Sequence, residues 1–384
     1  MTTTLFTWSG LILGATALLY LAACAWATRA WLKRRTTAAV AMPPITILKP
    51  LCGMEADLYD NLRSFCTQDY PEFQIIFGSR SADDPALDVA RTLQCEFPHL
   101  DIRIVCDHPV HCGNFKVANL MQMEPHVTSE YLAISDSDIR VGKDYLRHLA
   151  ADLAQPNTGV VTCLYRGLPG ANIWSRLGAL HINDWFLPSV LTGRLLGLND
   201  FGFGATLALR RQSLERIGGF KALADQLADD YMLAKLLRDH GLDTVLSDYL
   251  VETTVHEPSF ASLWQHELRW MRTVRMLQPA GHAFSCITHS LPATLMAAAL
   301  AHAQPWAWAM PATALILRAV MHRISPHSSG SSPWLDLLLL PIRDLLSFAV
   351  WAGSYGSRHV HWRGRRFAVR RDGCMWEMGE EHFS

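Results

Sequence analysis

Hydrophobic and polar positions divide this chain into three stretches of different character. From Leu5 to Thr28 no charged residue occurs, and Arg29, Lys33, Arg34 and Arg35 follow directly. At a helical rise of about 1.5 Å per residue, that run is long enough to cross a bilayer. A cleaved signal peptide carries its charges ahead of a shorter apolar run. A retained transmembrane anchor over residues 1–35 is therefore expected, with its basic flank on the cytoplasmic side.

The pattern changes at Pro43. Short apolar runs at Ile45–Leu48, Phe73–Phe77, Ile102–Val105 and Tyr131–Ile134 are each bounded by turn residues and predict strands. Between them, Asp57–Phe65, Ala86–Cys95 and Lys116–Met123 place apolar residues at helical spacing. Strands alternating with helices predict a parallel sheet built from right-handed crossovers, whose ligands bind outside the carboxyl ends of the strands. Beyond Asp138 the rhythm is looser. Gly159–Cys163 and Thr206–Leu209 read as strands. Trp174–Trp185, Leu227 to about His240, and Leu263–Leu277 read as helices. One α/β domain over 43–281 is the expectation.

A second apolar region covers 284–356. Phe284–Ala303 and Pro305–Val320 predict a membrane hairpin joined at Gln304-Pro305. Trp334–Ala352 carries Asp336, Arg343 and Asp344, which are costly at a bilayer centre; this segment is expected in the interface or against other protein. The tail, 357–384, contains Arg358, Arg363, Arg365, Arg366, Arg370 and Arg371, again a cytoplasmic signature. Two crossings after a cytoplasmic domain satisfy that parity.

Composition narrows the function. The 384 residues carry a formal net charge of −1 and no basic stripe interleaved with aromatics, which argues against nucleic acid as a partner. Nine cysteines, none in a C-x-x-C pair, argue against a zinc knuckle or a thioredoxin-like motif and suit a reducing compartment.

Candidate chemistry begins at Asp136-Ser137-Asp138, directly behind the predicted strand Tyr131–Ile134. Two carboxylates one residue apart at a strand end can share a divalent cation, and the cation can hold a diphosphate. Alone the triplet is weak, because acidic pairs in solvated turns are common. Asp229-Asp230, read alone, is a helix N-terminal charge pair, and Trp270 alone is a core or interface residue. Arg272 and Arg275 suit a solvated or lipid-headgroup face. His111 and Cys112 lack matching ligand partners and read as loop residues.

Together these stretches are more specific. LKPLCG, NLRSFCTQDYP, SDSDIRVG, VTCLYRG, INDWFLPSV, DFGFGATLALRR and ADDYMLAK, followed by HELRW and apolar C-terminal segments, resemble the ceramide glucosyltransferase-like family of membrane glycosyltransferases. Within it the hopanoid-associated members are the most similar. The resemblance runs from Pro43 to about Gly281 and implies a GT-A (nucleotide-diphospho-sugar transferase) fold with N- and C-terminal membrane segments. It further implies a bacterial inner-membrane, multi-pass protein with its catalytic domain in the cytoplasm. The implied reaction transfers N-acetylglucosamine from its UDP-sugar to bacteriohopanetetrol.

Carried over residue by residue, the resemblance assigns metal and diphosphate binding to Asp136 and Asp138. It assigns the catalytic base to Asp230, with Asp229 adjacent, and nucleotide proximity to Lys116. Arg269 and Trp270 close the (Q/R)-x-x-R-W motif. Two departures stand out: Ser81 occupies the place of a nucleotide-contacting aspartate, with Asp83 and Asp84 nearby, and His266 stands first in the R-x-x-R-W motif.

Chemistry leads to the same roles. Charge that develops on a departing UDP needs a cation, Mg²⁺ or Mn²⁺, together with Arg269 and His266. A lipid hydroxyl needs one carboxylate to take its proton, and direct displacement with one base inverts the anomeric centre. His181 and Asp184 are candidates to border the acceptor, with a structural role as the alternative. Gly202 and Gly204 suggest close backbone approach on that side, against a plain turn. The rival readings are glucosylation of ceramide or diacylglycerol from UDP-glucose, processive polysaccharide synthesis, and a non-catalytic lipid-binding protein on a transferase fold.

Overall fold

The computed structural model describes residues 2–34, 41–106, 110, 112–198, 201–302, 304–327, 333–357, 359–362, 365–370 and 373–377. The chain forms two compact units. A sheet unit comprises 35–165, 199–254 and 368–384, and a helical unit comprises 1–34, 166–198 and 255–367. Residues 166–198 and 255–281 thus group with the apolar segments rather than with the sheet. His111, Arg358, Arg363 and Arg371 lie outside the described residues.

Eight strands build the sheet: β1 (Ile45–Pro50), β2 (Phe73–Gly78), β3 (Asp101–Val105), β4 (Tyr131–Ile134), β5 (Ile139–Arg140), β6 (Thr158–Pro169), β7 (Leu207–Arg210) and β8 (Asp243–Val255). Their order is β3-β2-β1-β4-β7-β6-β8-β5. β1 pairs in parallel with β2 and β4, with Ile45 opposite Phe73 and Tyr131, and β2 pairs in parallel with β3. The other half is antiparallel: β7 pairs with β4 and β6, and β5 with β8. The expectation of an all-parallel sheet therefore holds only for β1 to β4. Helices Leu58–Cys66, Ala86–Glu96 and Phe115–Met123 supply the crossovers that parallel neighbours need. Past Asp138, β7 runs opposite to both β4 and β6, so β6 keeps the direction of β1 to β4. The long strand β8 is absent from the sequence reading because its alternation is interrupted by polar residues.

Both faces of the sheet are covered. Alternate side chains of one strand serve opposite cores. Ile45 and Ile47 join Phe65, Ile75, Phe77 and Tyr145 on one face. Leu48 joins Ile76, Leu120, Ile134, Leu207 and Phe220 on the other. A sheet buried on both faces leaves its strand ends as the place where polar chemistry can reach solvent.

In the helical unit, Thr2–Leu32 is a 31-residue helix that packs on Ser290–Leu300, Ala309–Ile324 and Leu187–Leu195. Glycine permits the approach: a Cβ on Gly10 would lie 2.7 Å from the Ala297 carbonyl oxygen. Leu5, Trp8, Ile12, Leu19 and Trp26 form an exposed apolar stripe on this helix, each more than 60% exposed, which suits a lipid-facing surface. Among the described residues it is the single helix long and apolar enough to cross a membrane. The expected hairpin forms helices of 11 and 16 residues, shorter than the ~20 a span requires. Pro279–Thr288 and Ser290–Leu300 reach that length only as a pair bent by 71°. The described residues thus carry one candidate span, or two if the bent pair is counted as one.

Trp174–Trp185 belongs to a longer element than its spacing predicts. Helix Ile173–His181 passes through a π-helical turn, Ile182–Phe186, into helix Leu187–Leu195. Helix Pro333–Gly353 packs against Ile173–His181 and Phe260–Leu277, and each of its charges finds a partner. Asp336 lies 2.6 Å from Arg176, and Asp344 lies 2.6 Å from Arg318. Arg343, wholly buried, makes two 2.7 Å bonds to Glu267. Breaking a buried pair strands one charge and costs about 3–5 kcal/mol, whereas replacing both members with apolar residues is often neutral. Arg343→Met should therefore lower the thermal midpoint of the detergent-solubilised protein sharply. The double variant Arg343→Met/Glu267→Met should recover most of that loss in the same melting experiment.

Candidate functional site

The site is built at the carboxyl ends of β1 and β4. β4 stops at Ile134, and Ser135 stays in the sheet's bonding pattern through its N–H to the Leu48 carbonyl. The chain then turns, and the Asp136 N–H bonds the Gly204 carbonyl at 3.2 Å. Lys49, at the end of β1, is fully buried. Its ammonium donates to the Asp136 carbonyl oxygen and, at 3.3 Å, to Ser135 Oγ. It also sits 3.9 Å from the centroid of the Phe65 ring. Burial brings its pKa down to about 7, against the pull of Asp138, Asp136 and Glu55.

Lys116 is placed by a helix cap. Asn114 caps Phe115–Met123, its side-chain oxygen accepting from the N–H groups of Lys116 and Val117. The same side chain donates to the Gln226 carbonyl and, at 3.3 Å, to Asp229 Oδ1. Lys116 Nζ stands 2.6 Å from Asp136 Oδ1 and 3.3 Å from Asp229 Oδ2. Burial alone would lower its pKa, but Asp136, Asp229 and Asp230 together raise it, so this ammonium stays charged.

Asp229 and Asp230 open helix Asp229–Asp239, where the exposed N–H groups and the dipole favour anions. Asp230 accepts from Gly204 N–H at 2.9 Å and from Tyr231 N–H at 2.7 Å. Asp138 accepts from Thr253 Oγ1, on β8, at 2.8 Å, and Ser137 donates to Glu55 at 2.5 Å. Burial first, then the neighbouring Asp229, pushes the Asp230 carboxyl up to about 6. Burial first, then Asp136, does the same to Asp138. With folded values above the ordinary carboxylate value of about 4, the stability these groups contribute is present below that pH. It is lost as pH rises through about 6, where they ionise. A bound divalent cation would reverse that penalty. Crowded carboxylate oxygens at a strand end are a donor set fitted to Mg²⁺ or Mn²⁺.

Gly202 and Gly204 belong to this constellation. A Cβ on Gly204 would lie 2.6 Å from Asp136 Oδ2 and 3.1 Å from Lys116 Nζ, and one on Gly202 would strike the Asp230 carbonyl and Ala234. Ser81 and Asp83 lie exposed on the loop after β2. The ordering residue of that loop is Asp84, which accepts from Gly53 N–H at 3.0 Å, Ser79 Oγ at 2.7 Å and Ala86 N–H at 3.0 Å. The structure thus brings Lys116, Asp136, Asp138, Asp229, Asp230, Gly202 and Gly204 together. Sequence reasoning missed Lys49, Glu55 and Thr253. Lys49 carried a signal, since a lysine ending an apolar strand must be buried with a partner; Glu55 and Thr253 carried none.

His266, Arg269 and Trp270 belong to the helical unit, on helix Phe260–Leu277. His266 Nδ1 lies 2.6 Å from Glu257 Oε1, Ser262 Oγ bonds the other Glu257 oxygen at 2.5 Å, and the Trp270 ring lies 4.3 Å from the imidazole. Burial would raise the Glu257 carboxyl, but bonds from His266 and Ser262 hold it below the usual range. His256, Glu257, Ser262, Gln265, His266 and Arg269 line an open polar groove of about 300 Å³. His181 is buried, stacked on Trp185 at 4.9 Å and 3.3 Å from Ser347 Oγ. Asp184 is fully buried and bonded to His322 at 2.7 Å. Neither side chain offers a surface to an acceptor, because the π-helical turn directs this stretch into the helix packing.

A mixed sheet with paired acids at its carboxyl edge defines the GT-A class of glycosyltransferases, and the chain has that fold. It belongs to glycosyl transferase family 21, whose model matches residues 9–375. It is similar to ceramide glucosyltransferase 1 of Caenorhabditis elegans, 25% identical over 62% of this chain and 51% of that protein. Beta-monoglucosyldiacylglycerol synthase of Trichormus variabilis is 23% identical over 60% of this chain and 48% of its own length. The chain thus spans about half the length of these curated relatives. Among solved structures, a mannosyltransferase from Pyrobaculum calidifontis in complex with GDP-Man and Mn²⁺ matches with a TM-score of 0.53. That match has 21% identity and covers 91% of this chain and 98% of that one, a likeness of fold.

The glycine contacts yield a direct test. Gly204→Ala forces a methyl group between Asp136 and Lys116, so sugar transfer should fall by at least about tenfold, since misplacing such groups by an ångström costs that much or more. The melting temperature should change little, because β7 and both cores are untouched. Gly356→Ala, an exposed position with nothing within 4 Å, should leave transfer close to wild type.

Proposed function

We propose that this chain is an inverting glycosyltransferase that moves a sugar from a UDP-sugar to a hydroxyl of a membrane lipid. The observation that carries the reading is the Asp136–Lys116–Asp229–Asp230 constellation at the carboxyl edge of the sheet. Asp136 and Asp138 would hold a divalent cation, Mg²⁺ or Mn²⁺, which when bound neutralises charge on the departing diphosphate. Lys116 holds Asp136 and Asp229 in place and adds fixed positive charge. Asp230, aimed by two backbone N–H groups and with its pKa raised to about 6, is suited to take the proton of the attacking hydroxyl near neutral pH. Arg269, Trp270 and His266 take the departing nucleotide in this reading, as the family motif implies, and Ser81 with Asp83 leaves nucleobase recognition to a serine-bearing loop.

The resemblance to hopanoid-associated members supports N-acetylglucosamine as the sugar and bacteriohopanetetrol as the acceptor. The exposed apolar stripe on Thr2–Leu32 supports a lipid acceptor met at a membrane, the cytoplasmic face of a bacterial inner membrane in this reading. A second reading, glucosylation of ceramide or diacylglycerol from UDP-glucose, is favoured by the names of the curated relatives.

Mass spectrometry of products from a panel of UDP-sugars, with bacteriohopanetetrol, ceramide and diacylglycerol as acceptors, separates the two. The first reading predicts a glycosylated hopanoid made from UDP-N-acetylglucosamine, and the second a glucosylated ceramide or diacylglycerol. No product with any pair, in folded protein that still binds lipid, would leave a non-catalytic lipid-binding protein.

Asp230→Asn should lower kcat by about 10²–10⁴-fold, the range for losing a general base. In the wild type, kcat/KM should rise with pH through about 6, because the base acts only once its proton is off, and the variant should lose that rise. Full activity in Asp230→Asn would refute the assignment.

A further inference from the structure

The helical unit brings together three side chains of metal-ligating type, Asp184, His322 and His327, outside the carboxylate cluster described above. Asp184 sits in the π-helical turn Ile182–Phe186 and is wholly buried. π-helical turns within helices frequently mark functional sites. His322 lies in the last turn of helix Ala309–Ile324, 3% exposed, and His327 follows a few residues beyond that helix. Asp184 Oδ2 is 2.7 Å from His322 Nδ1, and Asp184 Oδ1 is 3.5 Å from His327 Nε2, which also bonds the His322 main-chain oxygen at 2.6 Å, a contact that a bound ion would replace. One ligand atom from each residue lies within 4.8 Å of the other two.

Three features favour a cation over a plain hydrogen-bonded cluster. Asp184 Oδ1 is buried without a hydrogen-bond partner, a costly state for a carboxylate oxygen. The nearest guanidinium does not fill that need: Arg318 donates to the Asp184 main-chain oxygen and spends its side-chain charge on Asp344, 2.6 Å away. The spacings also fit. Zinc binds imidazole nitrogen and carboxylate oxygen at about 2.0–2.2 Å, so a tetrahedral site holds its donors about 3.3 Å apart; the observed 2.7 and 3.5 Å bracket that value. A cavity of about 10 Å³ beside His327, lined also by Asn183, Arg176 and Asp336, is roughly one water in size. The main-chain oxygen of His327 accepts from Arg166 at 3.5 Å, which steadies the segment carrying this histidine.

We propose that Asp184, His322 and His327 bind one zinc ion, which clasps the π-helical turn to the end of helix Ala309–Ile324. Two imidazoles and a carboxylate form a borderline nitrogen-oxygen donor set, and an ion without redox chemistry suits a structural clasp. The alternative occupant is a proton shared between Asp184 and His322.

The test uses the full chain in detergent, carrying Asp136→Ala/Asp138→Ala so that metal held at the diphosphate site does not contribute. After incubation with zinc and passage over a chelating resin, elemental analysis should find one zinc per chain, and His322→Ala/His327→Ala should retain less than a tenth of that. Cobalt in place of zinc should give visible d–d absorption bands that the histidine variant lacks. Should that variant fail to fold, the melting temperature of the parent decides. Zinc should raise it and a chelator should reverse the rise, with His327→Gln responding less. Zinc content near zero, equal content in a folded histidine variant, or a melting temperature indifferent to zinc and chelator would each overturn the proposal in favour of the shared proton.

Discussion

The sheet unit is organised around an electrostatic conflict. Glu55, Asp136, Asp138, Asp229 and Asp230 converge on the ends of β1, β4, β8 and one helix, and Lys49 and Lys116 are the ammonium groups among them. Like charges in a poorly hydrated place repel strongly. The protein reduces that repulsion by raising the Asp138 and Asp230 carboxyls to about 6 and by directing backbone N–H groups at Asp230. Such an arrangement is costly for the fold alone and well matched to a divalent cation carrying a diphosphate. The acids are worth keeping where a substrate and its metal complete the charge balance.

Geometry follows from that demand. A parallel half-sheet delivers β1 and β4 to one edge with Lys49 and Asp136 in adjacent positions, and the antiparallel half brings Gly204 and Thr253 back toward the same edge. Glycine at 202 and 204 lets two main-chain segments approach without a clash. The helical unit meets its own charges differently, pairing Arg343 with Glu267, Arg318 with Asp344 and Arg176 with Asp336. Fixed, buried pairs of this kind set how the helices pack, while the acids of the sheet unit stay unbalanced, as the proposed reaction requires.

Much of this was legible in the sequence, and the reasons for the gaps are physical. β1 to β4 were readable because strands buried on both faces must be apolar throughout, and the triplet at Asp136 was readable because a strand end is where a carboxylate escapes burial. β8 was not, since its residues alternate irregularly between exposed and buried positions. Antiparallel pairing of β7 was also hidden, because a four-residue strand looks the same in either direction. Lys116, Asp229 and Asp230 were marked by family motifs, yet their joint contact depends on Asn114, whose capping role shows only in three dimensions. Asp184, read as bordering an acceptor with a structural role as the alternative, bonds His322, and a π-helical turn shifts the facing residues in a way that regular 3.6-residue spacing does not anticipate.

The account stands on Asp136 and Asp138 needing a cation before they accept a diphosphate. Calorimetric binding of UDP to the purified full chain, with Mn²⁺ and with a chelator in its place, tests this most directly. The account predicts that chelation weakens UDP binding at least tenfold, and that Asp136→Asn/Asp138→Asn removes the difference between the two conditions. UDP binding of equal strength with Mn²⁺ and with chelator in the wild-type protein would contradict it.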